Sequence, residues 1–283
     1  MTGAIILNQN NLSPSGVFNS STTPGPYNTF TQNLRANNLS GKQIGLRKLT
    51  MVYSWSNIQN ATSITIAYPL DAVSYTNLTW TLPANTNYPS IAVLNEALQS
   101  FCISSGLYLI NGSDNVYFAE LRENLTTFKV ELNLYLLPTS LPGGYTAPGN
   151  WVGYPTTSKT LKITIGANNE LGNLIGFPAG TYNGNLVATQ FTSSMVPMIS
   201  PVASIYMTCN IAKNDIPING SNVIEVFTTH GVEFGQTIEV FPSQIQWYDI
   251  DLNSNNLEIR FFDQNFNLLN VQDPSTTIML SIR

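Results

Sequence analysis

Histidine occurs once in the 283 residues, at His230 in the turn Thr229-His230-Gly231. A Ser-His-Asp or Cys-His nucleophilic site would have to be built on that one imidazole, the usual general base near neutral pH. Its flanking glycines, Gly231 and Gly235, mark an exposed loop, so a solvated turn residue is expected. Cys102 and Cys209 stand in no zinc-ligand spacing. Each has apolar neighbours (Phe101 and Ile103; Met207 nearby), which reads as a buried, inert thiol of a reducing compartment, with a disulfide between the two left open. The run Asp249-Ile250-Asp251-Leu252-Asn253-Ser254-Asn255 alternates oxygen donors like a calcium loop. It lacks glycine at the sixth position, and Glu258 falls two places short of the bidentate twelfth. An Asx-rich β-turn fits it better. The stretch Leu171 to Gly180 is glycine-rich, yet no Lys-Ser/Thr follows to make a phosphate loop. Trp55, Trp80, Trp151 and Trp247 could stack on sugars. Three lie in strand-like runs that favour core positions, and Trp151 is the one expected to be exposed. Asn60-Ala61-Thr62 and Asn77-Leu78-Thr79 match the glycosylation triplet, which an Asn/Ser/Thr-rich chain produces by chance. The expectation is therefore a chain with no catalytic, cofactor-binding or metal residues, and not an enzyme.

Composition points the same way. Charged residues make up 10% of the chain and apolar ones 43%, against roughly 25% charged in an ordinary soluble domain. Asn, about one residue in eight by count, fills polar positions with Ser and Thr. Protein–protein contacts are depleted of Lys, Glu and Asp at their centres, so a neutral polar surface suits a protein pressed against neighbours; biased codon usage would also give it. The net charge is −5 with 11 Lys and Arg scattered along the chain, so no basic stripe favours nucleic acid. The apolar run Ala4-Ile5-Ile6-Leu7 is too short for a signal peptide, and no segment is long enough to span a membrane.

The elements that would position these residues are mostly strands. Residues 1–42, with Asn8-Gln9-Asn10-Asn11, Ser13-Pro14-Ser15-Gly16 and Pro24-Gly25-Pro26, show neither strand nor helix period beyond that first apolar run. They are expected to form a flexible arm. From residue 43 the pattern is period 2: 44–55, 63–68, 76–82, 128–137, 161–165, 205–209, 223–227, 237–241, 245–250, 257–262 and 277–282. One helix interrupts it. Ile91, Leu94, Leu98 and Phe101 recur at helical spacing after Pro89 and Ser90, with Gly106 as a stop, inside a connection of about 83–106. Segments 138–158 and 166–201 read as long loops. Many short antiparallel strands with one short helix predict an all-β sandwich or jelly roll occupying 43–283.

Several motifs in order resemble a known family. They are Tyr53-Ser54-Trp55-Ser56-Asn57-Ile58, the helix Leu94-Asn95-Glu96-Ala97-Leu98-Gln99, the turn Leu171-Gly172 to Gly176-Phe177, the strand Ile205 to Asn210, and Ile259-Arg260-Phe261-Phe262-Asp263-Gln264 closing on Ile278 to Arg283. Over about residues 45–283 this order is similar to the penton, or vertex minor capsid, proteins of virophages and Polinton-like DNA viruses. The resemblance implies a jelly-roll subunit forming homopentamers at the fivefold vertices of an icosahedral shell. It also implies a major capsid protein of the same virus as partner, no cofactor, and assembly in the host-cell cytoplasm into the virion. Trp55, Asn57, Leu94, Leu98, Gly176, Phe177 and Asp263 would then be structural positions. The family's Asp-x-x-Gly turn reads Asp263-Gln264-Asn265-Phe266 here, and Asn, which tolerates positive φ, should preserve it. A cement or fibre component of a capsid, or a secreted β-sandwich binding module, are the other readings.

Overall fold

A computed structural model of the chain describes residues 3–7, 29–33, 39–182, 185–213, 220–251, 256–271 and 275–283. Among these, twenty strands and two helices form, and every strand pairing is antiparallel. The fold is all-β, as expected. The chain divides into two compact units, one of residues 1–55 with 202–283 and the other of residues 56–201.

The first unit is a pair of sheets. One runs β1 (Gly3–Leu7), β20 (Thr277–Ile282), β3 (Gln43–Val52), then β17 (Thr237–Val240) and β18 (Tyr248–Ile250) on different stretches of one edge of β3, with β15 (Ala212–Lys213) beyond β18. The other runs β16 (Val223–Phe227), β14 (Ile205–Cys209), β19 (Asn256–Phe262), β2 (Thr29–Asn33). With β17 and β18 counted as one position and the short β15 set aside, the principal strands number eight in chain order. The two sheets then read first-eighth-third-sixth and second-seventh-fourth-fifth. That order, two interlocked Greek keys split over two sheets, is that of a jelly roll. Alternating side chains from both sheets fill one core, including Leu7, Phe30, Leu49, Met207, Phe261 and Leu280. Gly45 in β3 has a local reason. A Cβ there would lie 2.3 Å from the carbonyl oxygen of Gln246, so only glycine lets the chain before β18 pass so close.

The second unit lies in sequence between the third and fourth jelly-roll strands. It contains a sheet β12 (Gly180–Tyr182), β11 (Lys162–Ile165), β4 (Thr62–Pro69), β5 (Tyr75–Leu82); a sheet β13 (Thr189–Thr192), β9 (Lys129–Leu134), β8 (Ala119–Asn124); and a sheet β10 (Tyr145–Thr146), β6 (Tyr108–Asn111), β7 (Asp114–Tyr117). Its two helices are α1 (Ile91–Ser104) and α2 (Glu170–Ile175). All share a core separate from that of the jelly roll. Helix α1 starts where the sequence indicates: the Ser90 hydroxyl accepts from the Val93 N–H at 3.3 Å. It buries Ile91, Leu94, Leu98 and Cys102, one face at helical spacing. The Asn95 side chain accepts from the Leu121 N–H at 2.8 Å, which fastens the helix to β8.

The structure departs from the sequence reading in three respects. The expected arm, residues 1–42, contributes β1 and β2, whose pairings complete both jelly-roll sheets. Leu7 and Phe30 are 0% and 2% exposed, which outweighs the polar, turn-rich composition between them; residues 8–28 lie outside the described ones. The single body expected over 43–283 is two units, because a second core has been inserted into one connection. The segment 166–201, read as a loop, holds α2, β12 and β13, and 138–158 holds β10. A second helix therefore joins the one expected, and its cap is legible: Asn169 Oδ1 accepts from Gly172 N–H at 3.0 Å.

Candidate interaction site

The residues with chemical potential are kept apart. His230 is exposed in its turn, beside Gly231 at φ +78°. Cys102 and Cys209 are free thiols buried in the cores of different units. Burial pushes Cys102 up to about 12 and Cys209 to about 11, so both stay protonated. Asp249 accepts from the Gln43 side chain at 2.9 Å, while 252–255 lie outside the described residues. Among the described residues no group of three or more His, Cys, Asp or Glu is placed to hold a metal ion, and no helix is long and apolar enough to cross a membrane. Trp55 and Trp80 are buried. Trp151, expected to be exposed, is half-buried against the rings of Tyr68, Phe118 and Tyr154.

The motif residues hold the two units' frameworks. Trp55 packs on Tyr53 with ring centroids 4.4 Å apart, inside the jelly-roll core. Asn57, two residues on, belongs to the inserted unit. Its Nδ2 donates to the carbonyls of Tyr88 at 2.9 Å and Ile199 at 2.8 Å, and its Oδ1 accepts from the Tyr88 N–H at 3.0 Å. One side chain thus clasps the first and last segments of the unit. Leu94 and Leu98 are core residues of α1. Gly176 ends α2 at φ +75°, where a Cβ would lie 2.2 Å from the Met195 carbonyl oxygen; its N–H closes the turn on the Asn173 carbonyl, and its own carbonyl accepts from the Met195 N–H at 3.2 Å. Phe177 is buried and meets the ring of Tyr182 edge-on at 5.1 Å.

Asp263 caps its turn by accepting from the N–H groups of Asn265 and Asn267, both at 2.8 Å. Positive φ falls not on an asparagine, as the sequence suggested, but on Phe266, at +60°, the fourth position of the turn. Its ring stacks on Tyr206 at 5.1 Å and Phe262 at 5.5 Å, contacts that offset a conformation unfavourable to a bulky residue.

Two surface features of the inserted unit were not legible from motifs. A groove of about 340 Å³ is lined by Leu109, Tyr117, Leu136, Pro138 and Tyr145, among others. At its wall the Tyr135 hydroxyl donates to Glu120 at 2.9 Å, and Glu120 also pairs with Arg122 at 2.9 Å. Burial and then the Glu120 bond raise the Tyr135 pKa. The second feature is the β8–β9 hairpin tip, where Leu125 and Phe128 are 74% and 66% exposed. The available signal was a turn of Asn124-Leu125-Thr126-Thr127-Phe128 with no glycine in it.

No protein-family model matches the sequence, and no curated protein matches it. Among solved structures, a crystal structure of selenomethionine-labelled mavirus penton protein is similar along 100% of this chain and 97% of that one, at 11% sequence identity and a TM-score of 0.40.

Proposed function

We propose that this chain is a structural subunit of a virus shell that closes into a homopentamer at a vertex, alongside the major capsid protein of the same virus. The observation that carries the reading is the strand order of the first unit. A double-sheet jelly roll protects most of its edges and is a recurrent capsid building block. Fold alone does not give function. It is joined by a charge content of 10%, suited to broad neutral contacts, and by the ordered motifs that resemble vertex proteins. Head-to-tail contacts around one axis would close the ring. The test is the co-assembly of purified chain with the major capsid protein: incorporation at vertices is expected, and shells that close with this chain left in solution would overturn the reading.

The aromatic groove favours one other reading, a β-sandwich module that binds a neutral ligand such as a glycan by stacking on tyrosine rings. Glycan-array binding without any self-association would support it over the capsid role.

A further inference from the structure

We infer that the β8–β9 hairpin tip of one copy docks into the aromatic groove of a second copy of this chain, giving a head-to-tail contact. This rests on the ring reading above for its closure, but the contact itself is argued from the inserted unit.

The tip is costly as it stands. Asn124 Oδ1 accepts from the N–H groups of Thr126 at 3.0 Å and Thr127 at 3.1 Å, forming a tight turn that delivers the next residue in the left-handed region. Hairpins of this type place glycine or asparagine there. This one places Phe128, at φ +53°, and leaves its ring largely in water beside Leu125. Neither the strained backbone nor the exposed ring gains anything visible inside the unit, and such outliers collect where a partner binds. The result is an apolar knob of Leu125 and Phe128, flanked at its base by the exposed Glu123 and the half-buried Lys129.

The groove is its complement. Tyr117 and Phe118 precede β8, and Tyr135 and Leu136 follow β9, so the groove sits at the opposite end of the β8–β9 hairpin from its tip. Six residues of strand separate the two by about 20 Å. Its lining is aromatic, aliphatic and proline, with the Glu120 carboxylate at the wall already engaged by Tyr135 and Arg122, so a Phe and a Leu side chain meet an apolar surface. A knob and a hole at opposite ends of one rigid element cannot satisfy each other within a copy. Between copies they make a heterologous contact, the kind that propagates into a ring or an open chain.

Phe128→Asp removes the knob and Leu136→Asp spoils the hole. Both positions are at the surface, so melting temperatures should stay close to the wild type; Phe128→Asn, which suits positive φ, and Leu136→Lys repeat the test with different side chains. Analytical ultracentrifugation of the full chain should show rings for the wild type. Each variant alone should be monomeric, with self-association weakened on the order of a hundredfold. An equimolar mixture should form a one-to-one dimer, because one intact knob meets one intact hole. Variants that keep the wild-type ring overturn the contact and leave the ring reading standing. A mixture that stays monomeric overturns the knob-in-hole pairing. A wild type that makes open chains abolished by both variants keeps the contact and overturns the ring. A wild type monomeric at every concentration overturns both.

Discussion

Single side chains here serve geometry, and two of them give measurable consequences. Phe266 combines a left-handed backbone with aromatic stacking on Tyr206 and Phe262. Phe266→Ala would lose the stacking and keep the strain, whereas Phe266→Gly would lose the stacking and relieve the strain. Urea denaturation should therefore find the glycine variant more stable than the alanine variant by about 1 kcal/mol; equal stabilities would mean that the backbone there bears no strain. The buried thiols make a second case. A group whose folded pKa is raised contributes stability that is fully present below its unfolded pKa and is lost as pH rises through the folded value. With Cys102 at about 12 and Cys209 at about 11, the fold should lose stability on the alkaline side of the free thiol range. In the native state at neutral pH neither thiol should react with a thiol-reactive dye, and both should react after denaturation. Rapid native labelling would contradict their burial.

At the scale of elements, the sequence and the structure agree where a strand carries its own run of β-branched and aromatic residues. β14 and β16 begin and end where alternation placed them, and α1 starts at its serine cap. The misses have physical causes. β1 and β2 are short and separated by a polar, proline-containing segment, so their strand character comes from the long-range pairings with β20 and β19 rather than from local pattern. α2 is six residues in a glycine-rich stretch, too short for a helical period to show. The boundary of the inserted unit falls inside Trp55-Ser56, where composition does not change, and the groove is assembled from segments near 109, 117, 136 and 145 that no spacing connects. Deleting residues 1–42 removes both β1 and β2, and the lost burial of Leu7 and Phe30 alone should cost on the order of 3–6 kcal/mol. A truncated chain with unchanged urea stability would contradict their place in the sheets. Leu94→Ala should cost about 2–5 kcal/mol by opening a cavity under α1; a loss below about 0.5 kcal/mol would mean that this face is not packed. Asn57→Ala should destabilise by about 1–3 kcal/mol, since it leaves the Tyr88 and Ile199 groups it clasps without that partner.

As a whole molecule, the chain is a jelly roll carrying a second unit in one connection, with separate cores. That arrangement gives the inserted unit enough buried apolar surface to stand alone. The fragment 56–201 should unfold cooperatively with its own melting transition, and a fragment lacking near-ultraviolet dichroism would show that it borrows order from the jelly roll. In the proposed ring, neutral lateral contacts should make assembly insensitive to salt, because screening weakens exposed ion pairs and leaves apolar contacts intact. The ring assignment is tested most directly by the native mass of the purified full-length chain, measured by light scattering at low and high salt. A mass five times that of the 31.0 kDa chain, unchanged by salt, is the predicted result. A chain that stays monomeric at every concentration and salt would contradict it.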